Sequence, residues 1–445
     1  IPVCFTDALN GAGVDALLDI IVRHFPSPPE GNARPFFIGE GEDETPFVYS
    51  DDASKTLLAR VFHVATDPYL GKLCFVRVYQ GRIKAGDQLF IGDGKKPLRL
   101  GHMFQMQGKQ RAGVTEIVAG DMGAIAKVEE LHLSDVLHDD HALDHVHHKA
   151  LPYPTPLHAL AVVPKTRGDE DKIAAVLARI REEDPTFKAH FDVETRELVI
   201  YGLGEMHLNL VIERIKNQGV DVETKPPKIA YHETIMVHAE GHYRHKKQSG
   251  GAGQFGEVKL RVEPLERGGG FEFIEKVVGG VIPKSFMPAI EKGIRDMMRQ
   301  GVVAGYSIED VRVTVYDGKT HSVDSKEIAF RMAGKFAFKD AFLKASPQIL
   351  EPIVNVEVTT PGNAVGAITG DLSSRRGKVF GTDVMSNGTA VVRASVPLAD
   401  MMDYEPTLKS MTKGRGSYTM RLSHYDPVPE QIAEDLVAKF VARQT

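Results

Sequence analysis

What limits this chain most is that its apolar residues keep no single period. Between residues 36 and 137 they form short β-type runs, at 57–64, 72–79, 88–91, 98–106 and 124–128, divided by Gly81, Gly86-Asp87 and Asp93-Gly94. Those turn residues supply the positive φ that tight connections need, so the segment is expected to form a β-barrel. From residue 157 the pattern becomes strand, helix, strand, strand, helix, strand, with strands at 157–163, 189–193, 197–201 and 220–224 and helices at 169–184 and 205–217. Ile173, Val176, Leu177 and Ile180 share one face of the first helix. Asp184-Pro185 closes that helix, because the residue before proline is pushed out of the helical region. This order predicts a ferredoxin-like βαββαβ unit. A second unit begins near Pro352, with strands at 354–359, 379–383, 390–396 and 417–423, one helix over 362–375 and another starting near 398. Between the two, strands alternate with two strong helices, 288–300 and 325–345, as in a separate α+β domain.

A chain of 445 residues, at roughly 100–150 residues per domain, divides into about three to five domains. The expected fold class is multidomain α+β: a β-barrel followed by two ferredoxin-like βαββαβ domains flanking a separate α+β domain. The expected boundaries are 1–33, 34–137 (barrel), 138–148 (linker), 149–226 (first ferredoxin-like unit), 227–345 (α+β domain), 346–427 (second ferredoxin-like unit) and 428–445 (a final helix). In the opening segment Ile1-Pro-Val-Cys-Phe5 reads as a strand, and Val14, Leu17, Leu18, Ile21 and Val22 as a helix stopped by Pro26. One strand and one helix cannot bury their own faces, and no initiator Met precedes Ile1. Residues 1–33 are therefore expected to be the last piece of an α/β domain.

A formal net charge of -6 and a pI near 6.3 exclude a protein coated with positive charge for nucleic acid, so any RNA contact must be local. Residues 242–247 and 375–378 are the basic clusters available for it. Cys4 and Cys74 are too few for a disulfide framework and lack metal-ligand spacing, which points to a reducing cytoplasm. No run approaches the roughly 18 apolar residues of a membrane helix, so no membrane partner is expected. Residues 138–148, His-Asp-Asp-His-Ala-Leu-Asp-His-Val-His-His, are dense in metal-ligand types. Without a rigid scaffold or a matching ligand group elsewhere they read as a polar linker, and no metal is expected.

Gly251-Ala-Gly253-Gln-Phe-Gly256-Glu-Val258 matches the G-x-G-x-x-G-x-V phosphate loop of protein kinases. The lysine strand, the H-R-D loop and the D-F-G metal site that a kinase also needs are missing, which leaves a kinase-like nucleotide-binding enzyme as a distant alternative. The P-loop pattern G-x-x-x-x-G-K-[ST] and the nucleophile elbow G-x-S-x-G are absent, and Glu205-Met-His207 is not H-E-x-x-H. No catalytic residue is expected in this chain, and binding is the favoured class.

Several segments, taken in order, resemble translation elongation factor G. They are Ala65-Thr-Asp-Pro-Tyr-Leu-Gly71, Arg77-Val-Tyr-Gln-Gly81, Glu183-Asp-Pro185, Gly202-Leu-Gly-Glu-Met-His-Leu208, Gly279-Gly-Val-Ile-Pro-Lys284, His321-Ser-Val-Asp-Ser325, Gly370-Asp-Leu-Ser-Ser-Arg-Arg-Gly377 and Lys413-Gly-Arg-Gly-Ser417. The resemblance implies the tail of a GTPase domain followed by domains two to five. It also implies a full-length monomer that binds GTP and Mg, acts on the ribosome, and moves transfer RNA and messenger RNA through domain four. No cofactor is expected in this chain itself.

The tip loops of that family map to 248–256, 279–284 and 317–324, which makes Gln254, Gly280, Pro283, Lys284, Lys319, His321 and Asp324 the expected RNA contacts. Arg375 and Arg376 stand where the family touches ribosomal RNA. Asp7 and Ala8 lie at the family's guanine-contacting Ser-Ala, with Thr6-Asp-Ala8 in its place. Two further departures are Ala252, where an Arg is usual, and Lys326, where a Ser is usual. These changes suit a paralogue, and a recycling or ribosomal protection GTPase of the same superfamily is the alternative.

Overall fold

The computed structural model describes residues 2–28, 30–31, 34–67, 69–108, 110–247 and 253–444. The chain divides into two compact units, one of residues 1–154, 166–188 and 217–220, the other of 155–165, 189–216 and 221–445. Helix and sheet are both plentiful in the second, and the fold is multidomain α+β.

In the first unit eight strands form one sheet: β1 (Leu58–Asp67), β2 (Gly71–Gln80), β3 (Gln88–Ile91), β4 (Leu98–Arg99), β5 (His102–Gln107), β6 (Gln110–Val114), β7 (Met122–Ala126) and β8 (Val136–His138). The ladder runs β4-β3-β8-β1-β2-β7-β5-β6. One apolar core takes Leu89 from near one end of that path and Met103 from near the other, together with Val61, Val76, Val78 and Ile125 between them. The sheet is thus curled over its own core although the ladder itself is an open path. The turn glycine at 81 is required by contact as well as by its φ of 72°, since a Cβ there would lie 2.8 Å from the Leu57 Cα.

Two expectations for this unit need correction. Residues 138–148 are not a free linker. His138 closes β8 and is fully buried with Nε2 2.7 Å from the Gly92 carbonyl, and 146–147 pair with Phe36–Ile38. Leu143 and Val146 enter a small core with Phe36 and Leu58. The physical reason is that the apolar members of the stretch, at 143 and 146, point inward while its acids hold backbone: Asp139 accepts from the Leu57 amide at 2.8 Å and Asp140 from Ala142 at 2.9 Å. Of the strand expected over 1–5, the described residues 2–5 take no strand conformation; an isolated bridge joins Asp7 to Ala12 instead. Helix α1 (Val14–His24) forms as expected and buries none of its residues. Helix α2 (Glu170–Glu183) buries Ile173, Val176, Leu177 and Ile180, and its Glu182 pairs at 2.9 Å with the buried Lys72 of β2.

The second unit contains the sheet β9 (His158–Pro164), β10 (Lys188–Asp192), β11 (Glu197–Gly202) and β12 (Val222–Lys225), in the order β10-β11-β9-β12, with α3 (Glu205–Asn217) between the last two strands. Next come β13 (His232–Ile235), β14 (Ala239–Lys247), β15 (Gln254–Pro264), β16 (Phe271–Glu275), α4 (Met287–Gln300), β17 (Ser307–Ile308), β18 (Val311–Lys319) and α5 (Glu327–Lys344). Strands β14-β15-β18-β16 form one sheet, and Val258, Leu260, Val313 and Val315 from it share a core with Ile290, Ile294, Phe330 and Phe338 of the two helices. The helices approach at glycines: a Cβ on Gly293 would stand 2.0 Å from the Arg331 carbonyl oxygen.

The chain then enters β19 (Pro347–Pro361), α6 (Val365–Ser374), β20 (Lys378–Val384), β21 (Thr389–Pro397), α7 (Tyr404–Thr412), β22 (Ser417–Pro427) and α8 (Glu430–Gln444). Here the order is β20-β21-β19, with β22 on the other side of β19. Numbered within each module, both this sheet and that of β9–β12 read 2-3-1-4, the arrangement of a split βαβ unit. The first residues of β19 pair with β13, Leu350 opposite His232, so the last two modules share a ladder.

Candidate nucleic-acid interface

Three connections meet at one end of the β14-β15-β18 sheet. Register places them there: Lys247 faces Gln254 across β14 and β15, and Glu257 faces Lys319 across β15 and β18. The Phe255 amide donates to the Asp324 carbonyl at 2.9 Å, and the Ser325 hydroxyl donates to the Phe255 carbonyl at 3.0 Å. Ser325 Oγ in turn accepts from the His321 amide at 2.8 Å. Thr320 Oγ1 reaches the Val281 carbonyl at 3.4 Å, which ties in the third connection. Buried Ile282 anchors that connection beneath Gly318, while Gly279 and Gly280, at φ 75° and 69°, are exposed. Pro283, extended at φ -60°, leads into the short turn Lys284–Phe286.

Of the expected RNA contacts here, His321, Lys284, Lys319 and Gly280 are exposed, whereas Pro283 is exposed only as the turn that presents Lys284. The His321 Nδ1 lies 3.4 Å and 3.3 Å from the amides of Val323 and Asp324 and 3.4 Å from the Asp324 carboxylate. Nδ1 is thereby occupied in either protonation state, and Nε2 is left for an outside partner. Gln254 is half-buried, with Oε1 3.1 Å from His245 Nε2, so it braces the hairpin. Asp324 likewise holds the turn rather than offering a free carboxylate. Lys284, Lys319 and Lys326 make no ion pair among the described residues. Residues 248–252 of the first expected loop, including Ala252 and the first half of the glycine-rich pattern, lie outside the described residues.

The basic cluster 242–247 is partly neutralised. Glu257, 2% exposed, accepts from His242 Nε2 at 2.8 Å and Arg244 Nε at 2.6 Å. Burial pushes its carboxyl up, but the Arg244 and His242 contacts outweigh that and hold it below its ordinary range. Lys246 and Lys247 remain exposed.

The arginine pair of the last module has a different fate from the one expected. Arg375, with only 14% of its side chain exposed, donates to Asp371 at 2.9 Å, to Asp403 and the Asp400 carbonyl at 2.6 Å each, and to Thr407 at 3.2 Å. Its guanidinium also sits 5.2 Å above the Tyr404 ring. Arg376 grips both oxygens of Glu351, at 2.5 Å and 2.9 Å, and reaches Asp400. Glu351 is 3% exposed. These donors serve carboxylates inside the module. Asp7 and Ala8 are both exposed, and the Asp7 carboxylate accepts from the Leu9 amide at 3.1 Å and the Asn10 side chain at 2.6 Å.

Sequence reading missed Ser325 as the tie between connections and Glu233 as a buried brace. Glu233 is fully buried and accepts from the amides of Val302, Val303, Ala304 and Tyr306 at 2.8–3.1 Å. A Ser just before a helix carries a local signal; a Glu in a strand carries none.

Profiles of known families match along the chain: Elongation factor G domain 2 over residues 56–140, Elongation Factor G domain III over 153–226, Elongation factor G domain IV over 227–346, and the Elongation factor G C-terminus over 348–436. The three meeting connections all fall within the domain IV match. A solved protein of Thermus thermophilus is 37% identical, with a TM-score of 0.76 over 97% of this chain; the chain spans 61% of that relative's length. By these matches, domain after domain and in the same order, the chain belongs to the elongation factor G family.

Proposed function

We propose that this chain supplies the ribosome-binding modules of a factor that promotes GTP-dependent translocation of transfer RNA and messenger RNA, acting as a monomer in the cytoplasm. GTP and Mg belong, in this reading, to the whole protein, and no step is assigned to them here. The curled sheet of the first unit corresponds to the family's barrel and the two 2-3-1-4 sheets to its ferredoxin-like domains. The observation that carries the proposal is the end of the β14-β15-β18 sheet. There, hydrogen bonds tie the 320–325 connection to Phe255 of β15 and to Val281, Gly279 and Gly280 leave backbone open to close approach, and exposed Lys284, Lys319 and Lys326 make no ion pair among the described residues. Exposed lysines are what phosphate backbones attract, and a half-exposed imidazole adds a directed donor for a base edge or 2′-hydroxyl.

The test is His321→Ala in the full-length protein. Transfer RNA movement should slow while ribosome-stimulated GTP hydrolysis is nearly retained. Equal loss of both would remove the assignment. A subunit-splitting assay run beside it separates translocation from the recycling alternative.

A further inference from the structure

We infer that Glu194, His232, Glu309 and Tyr425 form a proton-dependent latch that fastens the β10–β11 turn to the modules that follow it. His232 begins β13 and is 4% exposed. Its Nε2 lies 3.4 Å from a Glu194 oxygen and its Nδ1 3.2 Å from a Glu309 oxygen. Glu194 belongs to the turn between β10 and β11, and Glu309 follows β17. The ring stacks on Tyr425 of β22, with centroids 4.2 Å apart and planes 12° from parallel. Three modules thus meet on one imidazole.

A neutral imidazole has a single N–H and can satisfy only one of two carboxylates on opposite nitrogens; the other then faces a lone pair. The imidazolium satisfies both and is also attracted to the aromatic face beneath it. Joining Glu194 to Glu309 therefore takes a proton. One ligand atom from each of Glu194, His232 and Glu309 lies within 4.8 Å of the others, so a divalent cation would compete with the proton for this cluster.

The charged groups that act on the ring are these two carboxylates. Burial disfavours the imidazolium, yet the Glu309 and Glu194 contacts outweigh it, and His232 holds its proton above the ordinary 6.5. The Glu309 carboxyl is held below its ordinary range by the same hydrogen bond. Tyr425, pushed up to about 12 by burial and by the charges of Glu194, Glu309 and Asp192, does not titrate with it. Because the folded value is raised, the latch is complete below 6.5 and is lost as pH climbs through the folded value.

The experiment uses the full chain labelled with 13C-histidine, with His232→Gln to assign the resonance. The His232 signal is expected to titrate above 6.5, and Glu309→Gln and Glu194→Gln are each expected to lower its midpoint. Hydrogen exchange of the 192–197 turn, corrected for intrinsic rates, should lose about tenfold in protection between about pH 6 and the upper end of the titration. Glu194→Gln, a change on an exposed side chain that leaves the imidazole in place, should flatten that pH dependence even if His232→Gln fails to fold. A midpoint at or below 6.5, or protection of the turn that ignores His232 ionisation, overturns the latch. So does restoration of protection at high pH by added Zn2+, which would make the cluster a metal site.

Discussion

Arg376→Gln separates a structural arginine from an RNA-binding one. The substitution leaves Glu351, 3% exposed, without its two guanidinium bonds of 2.5 Å and 2.9 Å, and removes the contact to Asp400. Breaking one side of a buried pair costs roughly 3–5 kcal/mol, because the remaining charge stays desolvated. Arg376 itself retains 31% side-chain exposure, through which water can reach the site, so the expected loss is at the lower end, about 3 kcal/mol. Gln keeps the left-handed backbone at φ 57°, so the conformational cost at 376 is unchanged. A chain of several domains has no single unfolding free energy, and the reading must be local. Hydrogen exchange of β19 and β21 amides should lose about a hundredfold in protection, whereas exchange in β14 and β15 stays as it was. Under conditions where the variant is folded, the salt dependence of ribosome binding should match the parent. Unchanged protection together with a salt slope reduced by about one phosphate contact would refute the structural assignment.

Replacing Lys284, Lys319 and Lys326 together with Gln should leave stability within about 0.5 kcal/mol, as these side chains are exposed and make no ion pair among the described residues. The slope of log affinity against log salt for ribosome binding should fall by about 2. Glu233→Ala orphans four amides and should cost about 4 kcal/mol, read as lost exchange protection at 302–306; a change below about 1 kcal/mol would mean the loop is held by something else. Glu257, held below its ordinary 4.5 against burial, contributes stability present above 4.5 and lost as pH falls through its lower folded value. The β14–β15 hairpin should therefore resist acid to below 4.5, and Arg244→Gln should move its acid transition, followed by exchange, to higher pH.

Helices were the legible part of the fold, because a helix carries its own period. The spacing expects 205–217, 288–300 and 325–345, and the structure has Glu205–Asn217, Met287–Gln300 and Glu327–Lys344. Strand existence was nearly as legible, whereas strand partnership was not. Nothing local in Leu350 marks it as the neighbour of His232, more than a hundred positions away. Residues 138–148 misled for a related reason. Eight of their eleven side chains are His or Asp, a composition that reads as solvated, and their burial is decided by Phe36 and Leu58, which composition cannot place.

The candidate site shows the same limit in its sharpest form. Lysines and arginines look alike as a basic run, but their availability depends on whether an acid lies within reach after folding. Asp371 is four residues before Arg375 at the end of the same helix, so part of that pairing could have been read from the i,i+4 spacing. Glu351, Asp400 and Asp403 come from other elements and could not. Lys319 ends a strand whose cross-strand partner, Glu257, is already taken by Arg244 and His242, and it stays exposed with no ion pair among the described residues. Exposed charge at this end of the sheet is thus left by satisfying acids internally with one set of cations. The end of the middle sheet is where cations outnumber the acids left to claim them.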